Sequence, residues 1–477
     1  MSRLRTRGFI ISLALVLFLA VVLRLYGINF GLPYIYHSDE WNHVDIVGGM
    51  LRRGVLNPGW FKKPSLYFYL LGLAYIVYFP FSVMQGKSTS LLSLAKTIVE
   101  NNGIVADPLS LLWARIFFAL FGILTVLTVY LIGRRFYNRY VGLLAALFLA
   151  VAPMHAVLQS HAVNADAPMI FFLVLSLAFC SLALERGRER DYALAGLFIG
   201  LATSVKYNGL VAGILLVATY ILTRGRPKAF RNLVIGLASV GVGFLLGTPF
   251  AILTAQEFFK GATGELTHYT GGHAGQEGSS GLFYARYLLH DAGELMMALA
   301  ITGIILAFYR RERRGILLAS FLVGYYLWIS LFNVHFDRIA APLAPFVVLL
   351  SAWVIHLAVE AFAPRLNRFT LGRPLVYGLL AMLVIALPVY RTVQRDYLLS
   401  QTDVRTIALE WARENIPPGS KVATESYCPP LGTLPRRLRL DITLLKGAGS
   451  IRGGVATYSP EWYQENGFDY LVVSSGR

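Results

Sequence analysis

The chain has 477 residues, of which 56% are hydrophobic and only 14% are charged, and its mean hydropathy is +0.58. These values exclude an ordinary soluble domain and indicate a protein with several membrane-spanning segments. The net charge of +17 would suit a nucleic-acid partner, but the basic residues cluster at the ends of apolar runs, which is a topology signal. The two cysteines, Cys180 and Cys428, are too few for a disulfide framework or a thiolate zinc site.

The N-terminus combines a basic stretch, MSRLRTRG, with an apolar run from Phe9 to Tyr26. This run lacks a cleavage site of small residues, so we predict an uncleaved membrane anchor rather than a signal peptide. The N-terminus is then expected in the cytoplasm, and the residues that follow Tyr26 are expected outside.

The stretch IYHSDEWNHV follows this anchor and places two adjacent carboxylates, Asp39 and Glu40, among histidines and aromatic residues. Adjacent residues on a helix point about 100° apart, so only one carboxylate is expected to face a reacting group. A carboxylate near the membrane surface is partly desolvated, which makes it a better general base. The alternative is a solvated loop acid.

Three further cations stand out in the next part of the chain. Lys63 follows Lys62 in GWFKKPSLYFYLL, where the pair either binds lipid headgroups or supplies a fixed ammonium for a lipid-linked phosphate. Arg115 and Lys206 lie in apolar stretches, where an ionisable residue is a functional hypothesis by default. For Arg115 the competing account is structural pairing with a nearby carboxylate.

Membrane topology is predicted from the apolar runs and the basic clusters between them. Runs long enough to cross the membrane start near Phe9, Leu109, Tyr140, Ala167, Asn232, Asp291, Gly315, Ala341 and Pro374, and the stretch 191–223, broken at SVKYNG, suggests two short spans. All basic clusters lie inside if the Tyr-rich run Ser65–Met84 is interfacial. We therefore predict eleven spans, with the ionisable residues and the C-terminus on the outer side.

Asp166 begins an outer apolar run after HAVNA, where it serves either as a helix cap or as a group facing the outer cavity. The glycine-rich THYTGGHAGQEGSSG predicts a mobile loop, either a lid or a plain connector. The histidines have no cysteine pair beside them, and a lone histidine is usually a hydrogen-bonded structural group, so we expect no dedicated metal site.

The C-terminal region is less apolar than the rest of the chain. TDVRTIALEWARENIPPGS predicts a capped amphipathic helix that ends before Pro417, and KVATESY and DYLVVSS predict strands. We assign residues 1–390 to a transmembrane catalytic domain and residues 391–477 to a small outer α/β domain. Because the chain ends directly after a strand, we expect this domain to be truncated.

Several of these stretches, in this order, resemble membrane glycosyltransferases of the GT-C class, specifically the dolichyl-phosphate-mannose-protein mannosyltransferase and aminoarabinose-transferase-like family (glycosyltransferase family 39). They are HSDEW, KKPSLYFYL, ARIFFALFGILTVLTVYLIGRRFY, AVNADAPMIFFLVLSLAF, GLATSVKYNGL, THYTGGHAG, FDRIAAPLAPF, NIPPGSKVATESY and GFDYLVVSS. The resemblance covers nearly the whole chain and implies a polytopic all-α GT-C fold.

The resemblance implies an inverting enzyme that transfers a sugar from a polyprenyl-phosphate carrier to a protein, lipid or glycan acceptor at the outer face of a prokaryotic plasma membrane. It places the base at Asp39, with catalytic support from Asp166 and Glu40. Substrate binding is assigned to Lys63, Lys206, Tyr207, Arg338, His273 and Arg115. Two departures from the family pattern are Ser65, in place of a second proline after Lys63, and FDRIAAP, which lacks the usual Arg-Tyr pair.

A phosphate-activated sugar needs a base for the acceptor and cations for the departing phosphate, so no cofactor is required, although related oligosaccharyltransferases use a divalent metal. The main rival function is a transporter or flippase, which would place its ionisable residues near the bilayer midplane and often show two related halves. The acids here lie at span ends and no repeat is visible, which favours the enzyme. A catalytically silent lipid-sugar-binding subunit is the third alternative.

Overall fold

The computed structural model describes residues 2–98, 105–157, 161–271, 278–366, 372–425, 427–434, 441–444, 455 and 458–474. The first third is helical, with the bounds α1 (Ser2–Leu25), α2 (Ser38–Arg53), α3 (Ser65–Met84), α4 (Leu91–Thr97), α5 (Pro108–Phe136), α6 (Arg139–Ala150) and α7 (Pro153–Ala156). The middle contains α8 (Asp166–Arg186), α9 (Glu189–Val205), a 3-10 segment (Tyr207–Ala212), α10 (Gly213–Thr223), α11 (Ala229–Gly247), α12 (Phe250–Leu253) and α13 (Ala255–Gly271).

The remaining membrane part contains α14 (Ser280–Ala292), α15 (Glu294–Tyr309), α16 (Arg313–Ile329), a 3-10 segment (Asp337–Leu343), α17 (Ala344–Leu366) and α18 (Arg373–Ser400). The C-terminal region contains α19 (Val404–Asn415), β1 (Lys421–Thr424), a 3-10 segment (Leu431–Thr433), β2 (Asp441–Leu444), α20 (Pro460–Glu465) and β3 (Tyr470–Val472). The predicted polytopic helical architecture with a small C-terminal strand region is confirmed.

Seven segments of the described chain are long and apolar enough to cross a membrane, and an eighth results if α14 and α15, bent by 114°, form one span. The runs predicted from Tyr140, Gly315 and the stretch 191–223 form helices of only 11 to 17 residues. At 1.5 Å per residue, the 12-residue α6 falls well short of a hydrocarbon core about 30 Å thick. The described helices thus contain fewer full-length spans than the eleven predicted from hydropathy.

The Tyr-rich run predicted at the interface forms the 20-residue helix α3, which is among the seven segments able to span the membrane. Its buried face includes Tyr67, Phe68 and Tyr75. Length and composition therefore do not separate an interfacial α3 from a spanning one. Its interfacial position and the sidedness of the chain stay predictions.

Single cysteines placed in a Cys428→Ser background test this topology. Gly225 and Gly264 are exposed and have open space where a Cβ would lie, and Thr89 is exposed just beyond α3. We expect a membrane-impermeant maleimide added outside intact cells to label Thr89→Cys and Gly264→Cys but not Gly225→Cys, because Gly225 lies in a basic cluster. Labelling of Gly225→Cys, or protection of Thr89→Cys, would contradict the predicted topology.

The position of Lys206 is set by close packing of α9 on α11. A Cβ on Gly200 would lie 2.2 Å from the backbone oxygen of Val240, and one on Gly243 would lie 2.3 Å from that of Leu197. Small residues let two membrane helices approach this closely, so the backbones themselves are in contact. Helix α9 then ends at Val205, and the predicted break at SVKYNG is the 3-10 segment that follows Lys206.

The C-terminal region confirms the predicted local elements. Asp403 caps α19 by accepting the Arg405 backbone N–H at 2.8 Å, and the helix ends at Asn415, just before the two prolines. The three strands form a parallel sheet in the order β2-β1-β3. Helix α18 continues through the predicted boundary at residue 390 to Ser400, and the division into two domains stays a prediction.

Candidate active site

Helix α2 separates the two adjacent carboxylates of its first turn. Its N-cap residue, His37, makes no side-chain cap hydrogen bond, and Asp39 and Glu40 lie at the positive end of the helix dipole. The Asp39 side chain is 29% exposed, whereas that of Glu40 is 0% exposed. As expected for adjacent helical residues, the two side chains contact different partners.

Asp39 lies between two cations. Its Oδ2 is 2.9 Å from Arg338 Nη2 and 3.5 Å from Lys63 Nζ. Burial favours the neutral acid, but the attraction of Lys63 and Arg338 outweighs burial and holds the pKa of Asp39 well below its ordinary value. Asp39 is therefore a carboxylate at any physiological pH.

Lys63 is held on its other side by a neutral histidine. Lys63 Nζ lies 2.9 Å from His43 Nε2, and His43 Nδ1 lies 2.9 Å from the Tyr67 hydroxyl. That hydroxyl donates to the Val163 carbonyl at 3.0 Å, so we assign the imidazole proton to Nδ1, which leaves Nε2 to accept from Lys63. Burial, reinforced by the Lys63 charge, keeps the pKa of His43 far below its ordinary value, which agrees with this tautomer.

The Lys63 ammonium is itself poorly solvated. Burial lowers the pKa of Lys63 to about 8, although attraction by Asp39 opposes this effect. Repulsion by Arg338 and Lys206 adds to the lowering. Lys63 thus lies in a locally cationic environment, which favours the binding of an anion.

Glu40 and Arg115 form a buried pair behind this site. Arg115 donates from Nε and Nη2 to the two Glu40 oxygens at 2.9 and 2.7 Å, and both side chains are 0% exposed. The remaining Arg115 nitrogen, Nη1, donates to the carbonyls of Ile28 and Phe30. Glu40 also accepts the Val163 backbone N–H at 2.8 Å. These contacts engage the polar groups of both residues within the protein, as the structural-pairing alternative for Arg115 predicted.

Asp166 and Lys206 form a second buried pair, with Lys206 Nζ 2.6 Å from Asp166 Oδ1. Asp166 does not cap α8, because Asn164 Oδ1 accepts the backbone N–H groups of Asp166 and Ala167. The Asp166 carboxylate is thereby left to hold the Lys206 ammonium. Its negative charge also acts on Arg338 across the site.

An aromatic-walled cavity of about 240 Å³ adjoins these groups. Its charged lining residues are Lys62, Lys63, Lys206 and Glu265, and its aromatic walls are Tyr207, Tyr269, Tyr284, Trp328 and Phe332. The Tyr207 hydroxyl donates to the Phe61 carbonyl at 2.8 Å, which ties the cavity wall to the loop that carries Lys63. The lysines concentrate positive charge at one end of an otherwise apolar space.

A second, apolar cavity of about 790 Å³ lies between α10 and α16. It shares Tyr207 and Trp328 with the first cavity, and most of its other lining residues are aliphatic, such as Leu210 and Leu327. Leu210 and Leu327 are 57% and 58% exposed, as expected for side chains that face lipid. The two cavities therefore share a wall, and a surface suited to a hydrocarbon chain lies next to the cavity that contains the lysines.

The structure brings most of the predicted residues together. Asp39, Lys63 and Arg338 are in direct contact, and Lys206 and Tyr207 line the adjoining cavity beside the partner of Lys206, Asp166. His273 lies outside the described residues. Within the described part of the chain, no three His, Cys, Asp or Glu side chains are grouped so as to hold a metal ion.

Sequence reasoning missed Glu265 and every aromatic wall of the cavity except Tyr207. Trp328 and Tyr284 lie in ordinary apolar helical runs, so nothing in the local pattern distinguishes a cavity wall from a lipid-facing or core residue. Glu265 is a charged residue on an amphipathic helix, α13, whose default interpretation is a solvated face. Tyr67 is likewise one of several tyrosines on α3.

With this geometry established, the fold is that of a GT-C membrane glycosyltransferase, similar over most of its length to two solved enzymes. The chain matches ArnT from Cupriavidus metallidurans in the apo state at 16% identity and a TM-score of 0.62. The match covers 95% of this chain and 88% of the ArnT chain. The structure of ArnT bound to undecaprenyl phosphate matches with the same identity and TM-score, and the match covers 98% of this chain and 90% of the ArnT chain.

The archaeal oligosaccharyltransferase AglB from Archaeoglobus fulgidus, in complex with an inhibitory peptide and a dolichol-phosphate, matches over 87% of this chain and 58% of its own at 16% identity and a TM-score of 0.54. The family model for dolichyl-phosphate-mannose-protein mannosyltransferase matches residues 109–253. No curated protein sequence matches the chain. The resemblance predicted from the sequence is thus confirmed.

Proposed function

We propose that this protein is an inverting glycosyltransferase that transfers a sugar from a polyprenyl-phosphate carrier to an acceptor hydroxyl or amine at the outer membrane face. The observation that carries this proposal is the contact of the Asp39 carboxylate with Lys63 and Arg338 beside an aromatic-walled cavity that also contains Lys206. A base, phosphate-binding cations and an apolar surface then meet in one place. The structural similarity to ArnT bound to undecaprenyl phosphate supports the same class of carrier.

Charge development in the reaction explains the cations. The donor is a phosphodiester with one negative charge, and the departing polyprenyl phosphate is a monoester that carries up to two. Lys63 and Lys206 line the cavity, where they would stabilise the added charge and so lower the barrier to breaking the bond between the anomeric carbon and the phosphate oxygen. The electron pair of that bond leaves with the phosphate.

Asp39 would take the proton of the acceptor as the acceptor heteroatom attacks the anomeric carbon from the face opposite the phosphate. Its low pKa keeps it ionised and makes it a modest base, which suits a step in which the acceptor proton becomes acidic only as the new bond forms. When a donor phosphate draws Lys63 away, the pKa of Asp39 rises and its basicity increases. Attack from this side inverts the anomeric configuration.

The other predicted residues have supporting roles in this proposal. The Asp166 carboxylate orients Lys206, and the Glu40–Arg115 pair holds the backbone around Asp39 rather than contacting substrate. The apolar cavity at Leu210 and Leu327 would take the first isoprene units of the carrier. The Glu265 carboxylate would accept hydrogen bonds from the sugar, whose ring would stack on the aromatic walls.

The direct test is transfer by the purified, reconstituted protein from polyprenyl-phosphate-linked sugars to an extract of membrane lipids, glycans and proteins. Product formation that depends on both the donor and Asp39 would support the proposal. Movement of the lipid-linked sugar between leaflets without any new glycosidic bond would instead establish the flippase alternative.

Lys63 gives this proposal a pH signature. Below about pH 8 the ammonium is charged, and as the pH rises through about 8 it loses its proton. Over this range the carrier phosphate is already fully ionised, since its second pKa is about 6. We expect the affinity for polyprenyl phosphate, measured by quenching of intrinsic tryptophan fluorescence, to fall as the pH rises from 7.5 to 9.5.

Lys63→Arg should retain binding and remove this alkaline decline, because a guanidinium stays protonated. Lys63→Met should weaken binding about tenfold or more at pH 7.5, the scale of one charge-assisted hydrogen bond. Lys260→Met is the matched control, since Lys260 is exposed on α13 away from the cavity lining. An alkaline decline that persists in Lys63→Arg would rule out Lys63 as its source.

A further inference from the structure

The segment that leads into α2 is attached to the C-terminal α/β region through two tyrosines. The Tyr36 hydroxyl is 2.7 Å from Thr406 Oγ1, and the Arg405 guanidinium carbon lies 4.0 Å from the centre of the Tyr36 ring. Arg405 Nη1 also donates to the Tyr36 carbonyl at 3.2 Å. Tyr34 packs against the apolar core of the α/β region, which is formed by Leu409, Ala412, Ile416, Val422 and Leu431.

The orientation of the Arg405 side chain is fixed by Asp403, independently of its contact with Tyr36. Asp403 accepts from Arg405 Nε at 2.8 Å and from Nη2 at 2.7 Å, a two-point contact that fixes the plane of the guanidinium. Asp403 Oδ1, which accepts from Arg405 Nε, also accepts the backbone N–H of Arg405 and so caps α19. The plane that stacks on Tyr36 is therefore set by the first turn of α19, and a planar cation fixed in this way is suited to stacking on an aromatic ring.

Asp39 lies three residues after Tyr36 and directly before Glu40. The first turn of α2, which carries Asp39, therefore lies between two residues that are held by distant parts of the chain. On one side Glu40 is fixed by buried Arg115, which also holds the carbonyls of Ile28 and Phe30. On the other side Tyr36 is fixed by α19. Because the N-cap residue of α2 makes no side-chain cap bond, the direction of its first turn depends on these anchors.

We propose that Tyr36, Arg405 and Thr406 form a clamp through which the C-terminal α/β region positions Asp39 for proton transfer. The clamp residues touch no substrate in this scheme and act only through the Tyr36–Asp39 turn. The catalytic consequence rests on the proposed function, whereas the mechanical role of the clamp does not. A misplacement of the base by about 1 Å is enough to slow a reaction about 100-fold.

The mechanical role is tested by amide hydrogen exchange on the intact, purified protein. We expect Arg405→Ala to accelerate exchange in peptides covering residues 30–44 and to leave those covering residues 108–136 unchanged. Arg413→Ala is the matched control, because Arg413 is exposed on the same helix and makes no ion pair among the described residues. Unchanged exchange in residues 30–44 of Arg405→Ala would overturn the clamp.

The catalytic consequence is tested by a double-mutant cycle on the hydrogen bond. Tyr36→Phe and Thr406→Val each remove the same bond while keeping the ring and the helix, so the double variant should be no slower than either single one. We expect kcat to fall about 10- to 100-fold, with KM for the donor and polyprenyl-phosphate affinity within about twofold of wild type. A kcat equal to that of wild type in all three variants would overturn the positioning role.

The two readouts separate the failure of this inference from that of the proposed function. A wild-type protein that transfers no sugar disproves the proposed function, and hydrogen exchange then still decides on the clamp. If Arg405→Ala does not fold, exchange in Tyr36→Phe decides in its place. Additive effects of Tyr36→Phe and Thr406→Val would show that the two side chains act independently and would also overturn the clamp.

Discussion

Asp39→Asn is expected to reduce sugar transfer from a polyprenyl-phosphate donor by about 10²- to 10⁴-fold, the usual contribution of a general base. The amide keeps the shape of the side chain and one oxygen that can accept from Arg338 and Lys63, so the local structure should persist. It cannot accept the acceptor proton at neutral pH. The loss should therefore appear in kcat and leave KM for the donor unchanged or lower.

Binding of polyprenyl phosphate separates loss of the base from loss of the site. Removing the Asp39 charge leaves Lys63 and Arg338 without their shared counter-ion and also lowers the pKa of Lys63 further. At a pH well below 8, where Lys63 keeps its proton, the anionic carrier should therefore bind as tightly as in wild type or more tightly. Asp45→Asn is the matched control, because Asp45 lies on the same helix and is 56% exposed. Turnover like that of wild type in Asp39→Asn would eliminate Asp39 as the base.

The second large effect is expected from Arg115→Met, which leaves the Glu40 carboxylate buried without a counter-ion. Breaking a buried ion pair from one side costs about 3–5 kcal/mol, because the remaining charge is neither solvated nor neutralised. We expect a clear fall in the thermal unfolding midpoint in detergent. Transfer activity should fall as well, because Arg115 also holds the backbone carbonyls that precede α2.

The double variant Glu40→Leu with Arg115→Met tests the physical reason for this effect. It removes both charges together and should unfold at a higher temperature than Arg115→Met alone. Arg135→Met is the control for loss of an ion pair at the surface, since Arg135 and Glu185 are 37% and 28% exposed and such pairs contribute about 0–1 kcal/mol. If Arg115→Met and Arg135→Met are equally mild, the Glu40–Arg115 pair does not stabilise the site.

Asp39 illustrates how much of the site could be predicted from sequence. Its membrane-edge position and aromatic neighbours indicated a reactive carboxylate, and its adjacency to Glu40 indicated that the two would diverge, as they do. Its two cationic partners, Lys63 and Arg338, come from two other parts of the chain, and no local pattern connects Asp39 to Arg338 or Tyr36 to Arg405. Those pairings depend on how helices far apart in sequence pack.

Asp166 shows that a role predicted from neighbouring residues can belong to a different residue in the structure. A helix cap was one of the two roles that the sequence left open for Asp166, and the backbone N–H groups at the start of α8 are capped, but by Asn164. Asp166 instead binds Lys206, which is 40 residues away and is brought close because α9, which ends just before Lys206, packs on α8, which begins at Asp166. An aspartate at the start of a helix looks the same in sequence whether it caps the helix or forms an ion pair. Only the position of the Lys206 ammonium distinguishes the two roles.

The sequence by itself determined the membrane class, the break in the chain at Lys206, the capped helix α19 and the strands around β1. Each of these follows from apolar periodicity, turn residues or caps, which act within a few residues of one another. Only the tertiary structure decided which ions pair, which helices are too short to cross the membrane alone, and which aromatic residues wall the cavity. The ion pairs and the cavity walls arise from side chains distant in sequence that meet in a packed interior, where burial and charge pairing act together.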